Sequence, residues 1–439
     1  MNTEAFPLTF EEESIWISEQ LFRQPSPYLE AWAQRIEGPL DLGALWRAWN
    51  AFVQRHAALR TRFLLEDGGT VRRFAPDAPC EMELARWPGG DLETVLREAG
   101  RRPLDLTRSA YRATLYERSP LDHVLLVQVH HIIVDDVSLS ILTEELGTLY
   151  TAQVTGRACE LPPLPGDPGA YAIAQRAAGI DPEALDFWAD YLTDVTPLPQ
   201  LPPYRRPLPP RRGTGSDMVS LVLPAEARRA VRDTARTLRT TPHVVFATAM
   251  AMTFSATVGV DDVVLGTPTS RRGAAELDRM FGCLTDLMPL RVHVPETMSF
   301  TDACGTTKKN VLTTLRYRQT PYAAISSNLR SARSVRSSEN LGRVVLVVDD
   351  DPGELTLPGL RCERIYVGAA SPKFDWCQYV VASGDEYLVR ADYATGCFTL
   401  EEAHQMLTQW ATVVWAVTAD TDVTPVQLRE RLGVRATTP

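Results

Sequence analysis

Apolar residues recur at helical spacing in 40–56, where Leu42, Leu45, Trp46, Trp49 and Val53 share one face, and the acidic opening segment 10–22 also reads as an amphipathic helix. The run at 59–65 and the stronger one at 124–129, between His123 and His130, predict strands. After Asp136, helical spacing resumes through Leu139, Leu142, Leu146 and Leu149. Further on, MVSLVLP reads as a strand, 225–239 as a helix, and 242–258 as a helix with Thr241 as cap and Pro242 in its first turn. Short β-branched runs at 262–267 and 344–348 add strands, so both halves of the chain mix the two element types.

Two segments interrupt this pattern, LPPLPGDP at 161–168 and TPLPQLPPYRRPLPPRRGTG at 196–215, with too many prolines for helix or central strand. A chain of 439 residues exceeds the size at which single cores usually stop growing. The expected organisation is therefore α/β throughout: an N-terminal lobe at 1–178, a proline-rich linker at 179–215, and a C-terminal lobe at 216–439. Two lobes so joined leave a cleft, a common location for ligands.

Composition removes several function classes. The apolar fraction of 44% with 23% charged residues is that of a folded protein. Forty-five Lys and Arg against 55 Asp and Glu give a formal charge of −10, which argues against nucleic acid as a partner while leaving room for a local basic patch. Seven cysteines at 80, 159, 283, 304, 362, 377 and 397 include no CxxC pair, so neither a zinc site nor a disulfide framework is expected. The acidic start MNTEAFPLTFEEES lacks the basic and apolar regions of a signal peptide, and no long uncharged apolar run follows. The expectation is a cytoplasmic protein with no membrane association, acting as a monomer.

The densest polar constellation is VQVHHIIVDDVS, in which His130, His131 and Asp135 lie between an apolar strand and a helix. A histidine pair with Asp could also hold a metal, but no third ligand is near in sequence. This segment resembles the condensation-domain family of nonribosomal peptide synthesis, whose signature is two histidines, three other residues, Asp and Gly. Other segments resemble the family in the same order: PLTFEEESIWISEQL at the start, RHAALRTRF at 55–63, RPLDLTRSAYRATL at 102–115, MFGCLTDLMPLRV at 280–292, RQTPYAAI at 318–325 and SPKFDW at 371–376.

The resemblance implies two chloramphenicol-acetyltransferase-like lobes in a V-shaped pseudo-dimer, with a tunnel between them that carrier arms enter from opposite faces. It implies acyl transfer from a carrier-protein thioester to an amine or hydroxyl acceptor, either a small molecule or carrier-bound. His131 matches the motif histidine at the reacting centre, His130 the first motif histidine, and Asp135 a structural carboxylate. The cation expected to pair with Asp135 is Arg291, with Arg60 second. No cofactor is expected on the chain itself: phosphopantetheine arrives on an acyl- or peptidyl-carrier partner. An attacking alcohol or ammonium must lose a proton, and a positioned histidine serves as general base, orients the nucleophile or stabilises the tetrahedral species.

Two positions depart from the family pattern, and with Ser371 they are expected on the tunnel or acceptor side. Asp136 stands where Gly is usual, adding bulk and charge. Asp286 replaces a common Asn, exchanging an amide for a charged acceptor. A related noncatalytic branch that recruits cytochrome P450 enzymes to carrier-bound peptides also tends to carry Asp at the Gly position, but it replaces the catalytic histidine. The competing expectation is thus a silent platform recruiting a tailoring oxygenase, and a coenzyme A-dependent acyltransferase is a third. Because the length leaves no room for adenylation or carrier domains, a free-standing condensation enzyme or an excised domain is expected.

Overall fold

A computed structural model describes the chain except residues 1–4, 22–24, 67–68, 75–79, 165, 196–214, 332–342, 352, 370 and 435–439. The chain divides into two compact units. Unit 1 comprises 1–179, 270–285 and 352–371, and unit 2 comprises 180–269, 286–351 and 372–439.

Unit 1 begins with β1 (Ala5–Pro7), α1 (Phe10–Leu21), β2 (Leu29–Glu37), α2 (Leu42–Arg55), β3 (Thr61–Glu66), β4 (Gly69–Phe74) and β5 (Met82–Arg86). It continues through α3 (Leu92–Gly100), β6 (Tyr111–Ser119), β7 (Asp122–His130), α4 (Asp136–Thr155) and α5 (Pro168–Ala178). In unit 2 follow α6 (Pro182–Tyr191), β8 (Ser216–Leu223), α7 (Ala225–Thr237), α8 (Pro242–Val258), β9 (Asp262–Ser270) and β10 (Thr285–His293). Next come α9 (Phe300–Thr314), α10 (Tyr322–Ser331) and β11 (Val344–Asp350), then β12 (Arg361–Tyr366), which returns to unit 1. The chain ends with β13 (Trp376–Ser383), β14 (Glu386–Ala394), α11 (Leu400–Ala419) and α12 (Pro425–Arg431).

The main sheet of unit 1 has the order β12-β2-β7-β6-β5, with β2, β7 and β6 antiparallel and β5 parallel to β6. All but one residue of β7 is buried, as a central strand covered on both faces requires. α2 covers the sheet with Ala44, Leu45, Ala48, Trp49, Phe52 and Val53, and its Asp41 cap accepts the Ala44 amide at 2.8 Å. α4 packs beside α2. Gly147 on α4 lets the 352–371 segment pass, since a Cβ there would meet the Thr356 carbonyl oxygen at 2.8 Å.

Unit 2 is built on the six-stranded sheet β10-β9-β11-β13-β14-β8, packed around α8. Every residue of α8 from Val244 to Val258 is buried, which accounts for a helix apolar all round whose threonine hydroxyls donate to the carbonyl one turn back, Thr248 to Val244 and Thr253 to Ala249. Thr241 caps α8 and Pro242 occupies its first turn, as the sequence predicts.

The course of the chain differs from the expected division at 178 and 215. Residues 180–195 are part of unit 2, where α6 contributes Trp188 to a core with Val264, Met288 and Ile325, and only 196–214 of the proline-rich segment lie outside the described residues. Segments 270–285 and 352–371, expected in the C-terminal lobe, belong to unit 1. Leu355, Leu357, Phe281 and Cys283 are the reason: they complete the unit 1 core. Among the described residues no helix is long and apolar enough to cross a membrane.

Candidate active site

β7 delivers the two histidines in different environments. His130 ends the strand and is buried; His131 opens a 3₁₀ turn, His131–Ile133, and is half-buried. The Tyr28 carbonyl accepts the backbone N–H of His131 at 2.8 Å, and the Ala110 carbonyl accepts that of His130 at 2.8 Å, so the corner is pinned by neighbouring chain.

Their rings carry opposite tautomers. Nδ1 of His131 lies 2.7 Å from the Val134 carbonyl oxygen, which can only accept, so the proton resides on Nδ1 and Nε2 is the basic nitrogen. Nδ1 of His130 accepts the Ile132 N–H at 3.2 Å, which places its proton on Nε2, 3.4 Å from Glu19 Oε2. In His131 the Val134 carbonyl thus holds the proton on Nδ1, whereas both nitrogens of His130 hold the fold of the corner. His130→Ala is expected to lower the melting temperature more than His131→Ala does while lowering turnover less. Thermal unfolding and single-turnover rates on the same two variants check this.

Asp135 is the N-cap of α4 and is buried among six donors. Oδ1 accepts from the Ser138 N–H at 2.9 Å, the Ser138 hydroxyl at 2.8 Å and Arg272 Nη2 at 3.1 Å. Oδ2 accepts from Arg272 Nη1 at 2.5 Å, the Leu284 N–H at 3.1 Å and the Thr285 hydroxyl at 3.3 Å. The carboxylate anchors the start of α4, and its bidentate partner is Arg272.

This corrects the expected pairing with Arg291. Arg291, on β10, is bound to Asp262 at the start of β9, at 3.0 Å and 3.1 Å through Nε and 2.6 Å through Nη2, and also reaches the Tyr191 and Thr193 carbonyls. Adjacent strands give Arg291 a carboxylate at hand. Asp262 accordingly raises the Arg291 guanidinium, chiefly by direct hydrogen bonding. Nor is Arg60 among the partners of Asp135; its Nε is buried without a hydrogen-bond partner among the described residues.

The remaining expected residues are placed as follows. Asp136 is exposed at the first position of α4. Asp286 Oδ2 accepts the Tyr322 N–H at 2.8 Å and so caps α10, a role that needs only an acceptor. Ser371 is buried at the end of the last unit 1 segment, and in the same motif the fully buried Asp375 pairs with Arg343 within unit 2. Residues not anticipated are Arg272, Ser138 and Cys283, whose Sγ lies 3.9 Å from His131 Nδ1. The Asp-x-x-Ser spacing of Asp135 and Ser138 is a readable cap signal; Arg272 lies in none of the family-like segments, and Cys283, though within MFGCLTDLMPLRV, has no spacing that ties it to His131. Among the described residues, no three His, Cys, Asp or Glu side chains converge as metal ligands.

The family model described as the condensation domain matches residues 2–429. The chain belongs to the condensation-domain family. Isonitrile lipopeptide synthase from Mycobacterium tuberculosis is 29% identical over 386 residues, a match covering 84% of this chain but 15% of that protein. Phosphinothricin tripeptide synthetase PhsB from Streptomyces viridochromogenes is 29% identical over 441 residues, covering 97% of this chain and 37% of that protein. The condensation domain thus spans well under half the length of both relatives. Among solved structures, the X-domain from teicoplanin biosynthesis superposes with a TM-score of 0.83 at 24% identity, covering 97% of this chain and 98% of that one. The X-domain is also solved in complex with OxyB. The first condensation domain of the calcium-dependent antibiotic synthetase, with a substrate analogue, gives a TM-score of 0.80 at 20% identity, covering 97% and 98%. These likenesses establish the chloramphenicol-acetyltransferase-like α/β fold that the motif series implies.

Proposed function

We propose that this condensation domain transfers an acyl group from a carrier-protein thioester to an amine or hydroxyl acceptor, with His131 as general base. One observation carries the reading: the Val134 carbonyl fixes the Nδ1–H tautomer of His131, leaving Nε2 to take the proton of the attacking group. Attack on the thioester carbonyl forms the new C–N or C–O bond, and collapse of the tetrahedral species expels the pantetheine thiolate, which receives the proton held on Nε2. The phosphopantetheine arm belongs to the carrier partner, and no cofactor is needed from this chain. A small soluble acceptor and a carrier-bound one are both compatible with this chemistry.

The second reading, a recruitment platform, is favoured by Asp136 and by the likeness to the X-domain, which is solved with OxyB. His131 and its complete Asp135 anchorage support the first. Intact-mass analysis of candidate loaded carriers before and after mixing with the protein and acceptors tests both. Acyl loss from the carrier with matching product supports transfer; inactivity across a broad panel together with tight binding of a tailoring oxygenase replaces it with the platform. Asp136→Gly and Asp136→Asn are expected to change acceptor use while retaining turnover, the first relieving bulk and charge, the second charge alone. Competition between cationic and neutral acceptors checks this.

A further inference from the structure

The 270–285 segment is held to α4 at two places, only one of which is at the histidine corner. Asp135, Ser138 and Glu145 recur along α4 at helical spacing, so they form a buried polar stripe on an otherwise apolar face. Asp135 binds Arg272 and the Leu284 amide; Ser138 Oγ lies 3.0 Å from both the nitrogen and the oxygen of Gly282. Glu145, with its side chain fully buried, binds Arg279 Nη2 at 3.2 Å, His56 Nε2 at 2.8 Å and Arg55 Nε at 3.0 Å. Arg279 also reaches Glu144 at 3.1 Å.

From Met280 to Leu284 every residue of the segment is buried. Phe281 packs against the rings of Phe52 at 5.7 Å and His56 at 5.4 Å, Arg272 holds the Met280 carbonyl at 2.8 Å, and Cys283 meets His131. Burial works to raise the Glu145 carboxyl, but the hydrogen bonds and charges of His56 and Arg55 hold it below its ordinary value. It stands ionised against Arg279.

We propose that Glu145, through Arg279, is a positioning residue: this second latch sets the register of 279–285 and thereby the contact of Cys283 with the His131 ring. The proposal rests on the reading of His131 as the base, and its readouts do not require turnover. They are the His131 ring resonances in protein carrying isotope-labelled histidine, assigned by their loss in His131→Gln, and the alkylation rate of Cys283 by iodoacetamide, followed peptide by peptide. Glu145→Gln and Arg279→Met are expected to shift the His131 Nδ1 resonance and to speed Cys283 alkylation roughly tenfold, because a released segment opens locally. Arg279→Lys should recover much of both, and Glu226→Gln on the exposed face of α7 should alter neither.

Where loaded carriers are turned over, kcat falls in Glu145→Gln and Arg279→Met with KM for the carrier unchanged. If Glu145→Gln does not fold, Arg279→Met decides, since that side chain is one-quarter exposed. Wild-type His131 resonances and Cys283 rates in folded Glu145→Gln or Arg279→Met overturn the proposal, whether or not the protein transfers acyl groups. An inactive wild type in which both readouts respond overturns the functional reading and leaves the latch standing.

Discussion

His131→Ala is expected to lower product formation about 10²–10⁴-fold, the usual contribution of a positioned acid–base group. The fold should survive because the His131 backbone and the His130 ring remain in place: the His131 N–H bonds the Tyr28 carbonyl, the His131 carbonyl accepts the Val134 N–H, and His130 Nδ1 still accepts the Ile132 N–H. Circular dichroism and the melting curve therefore stay near wild type while single-turnover transfer from a verified loaded carrier collapses. Unaltered transfer by His131→Ala would remove the base assignment. His131→Gln, which preserves much of the bulk, should be similarly slow, separating the loss of a proton acceptor from the loss of volume.

Arg272→Met is expected to destabilise the protein by about 3–5 kcal/mol, the range for a buried ion pair broken on one side. The Asp135 carboxylate would keep Ser138, Leu284 and Thr285 as donors but lose its bidentate cation, in a site where the Arg272 and Asp135 side chains are 8% and 1% exposed. The double variant Arg272→Met with Asp135→Asn removes both charges and should be more stable than Arg272→Met alone, since no uncompensated charge stays buried. Thermal and urea unfolding of the three proteins checks the order. A melting temperature for Arg272→Met equal to that of wild type would show that Asp135 does not depend on the pair.

Periodicity made the principal helices legible. α8 coincides with the range expected from spacing and cap, α2 lies within two residues of its own, and β7 extends the apolar run seen between His123 and His130. β2 was not anticipated, because LEAWAQRIE mixes polar and apolar positions in a pattern that does not separate strand from helix. At the site, His130, His131 and Asp135, singled out by their local motif, lie together between β7 and α4. The cation did not follow, since Arg291 and Arg272 both follow β9 in sequence and nothing in their spacing to Asp135 distinguishes them. Asp262 decides the matter by capturing Arg291 from the neighbouring strand. Pairings that cross 137 residues depend on topology, which residue pattern alone leaves open.

Because 270–285 and 352–371 are late in the chain yet belong to the histidine-bearing unit, synthesis order constrains its maturation. As the polypeptide emerges from the ribosome, β2, β7, β6 and the α4 cap are available early, but Asp135 waits 137 residues for Arg272. The edge strand β12 arrives later still, pairing with β2 from Glu37↔Arg361 to Trp32↔Tyr366. Such distant closures carry a loop-entropy cost and slow folding. A nascent chain stalled before residue 271 therefore carries the whole histidine motif with its carboxylate uncapped by Arg272, and premature termination anywhere before 371 leaves the histidine-bearing unit without its last segment.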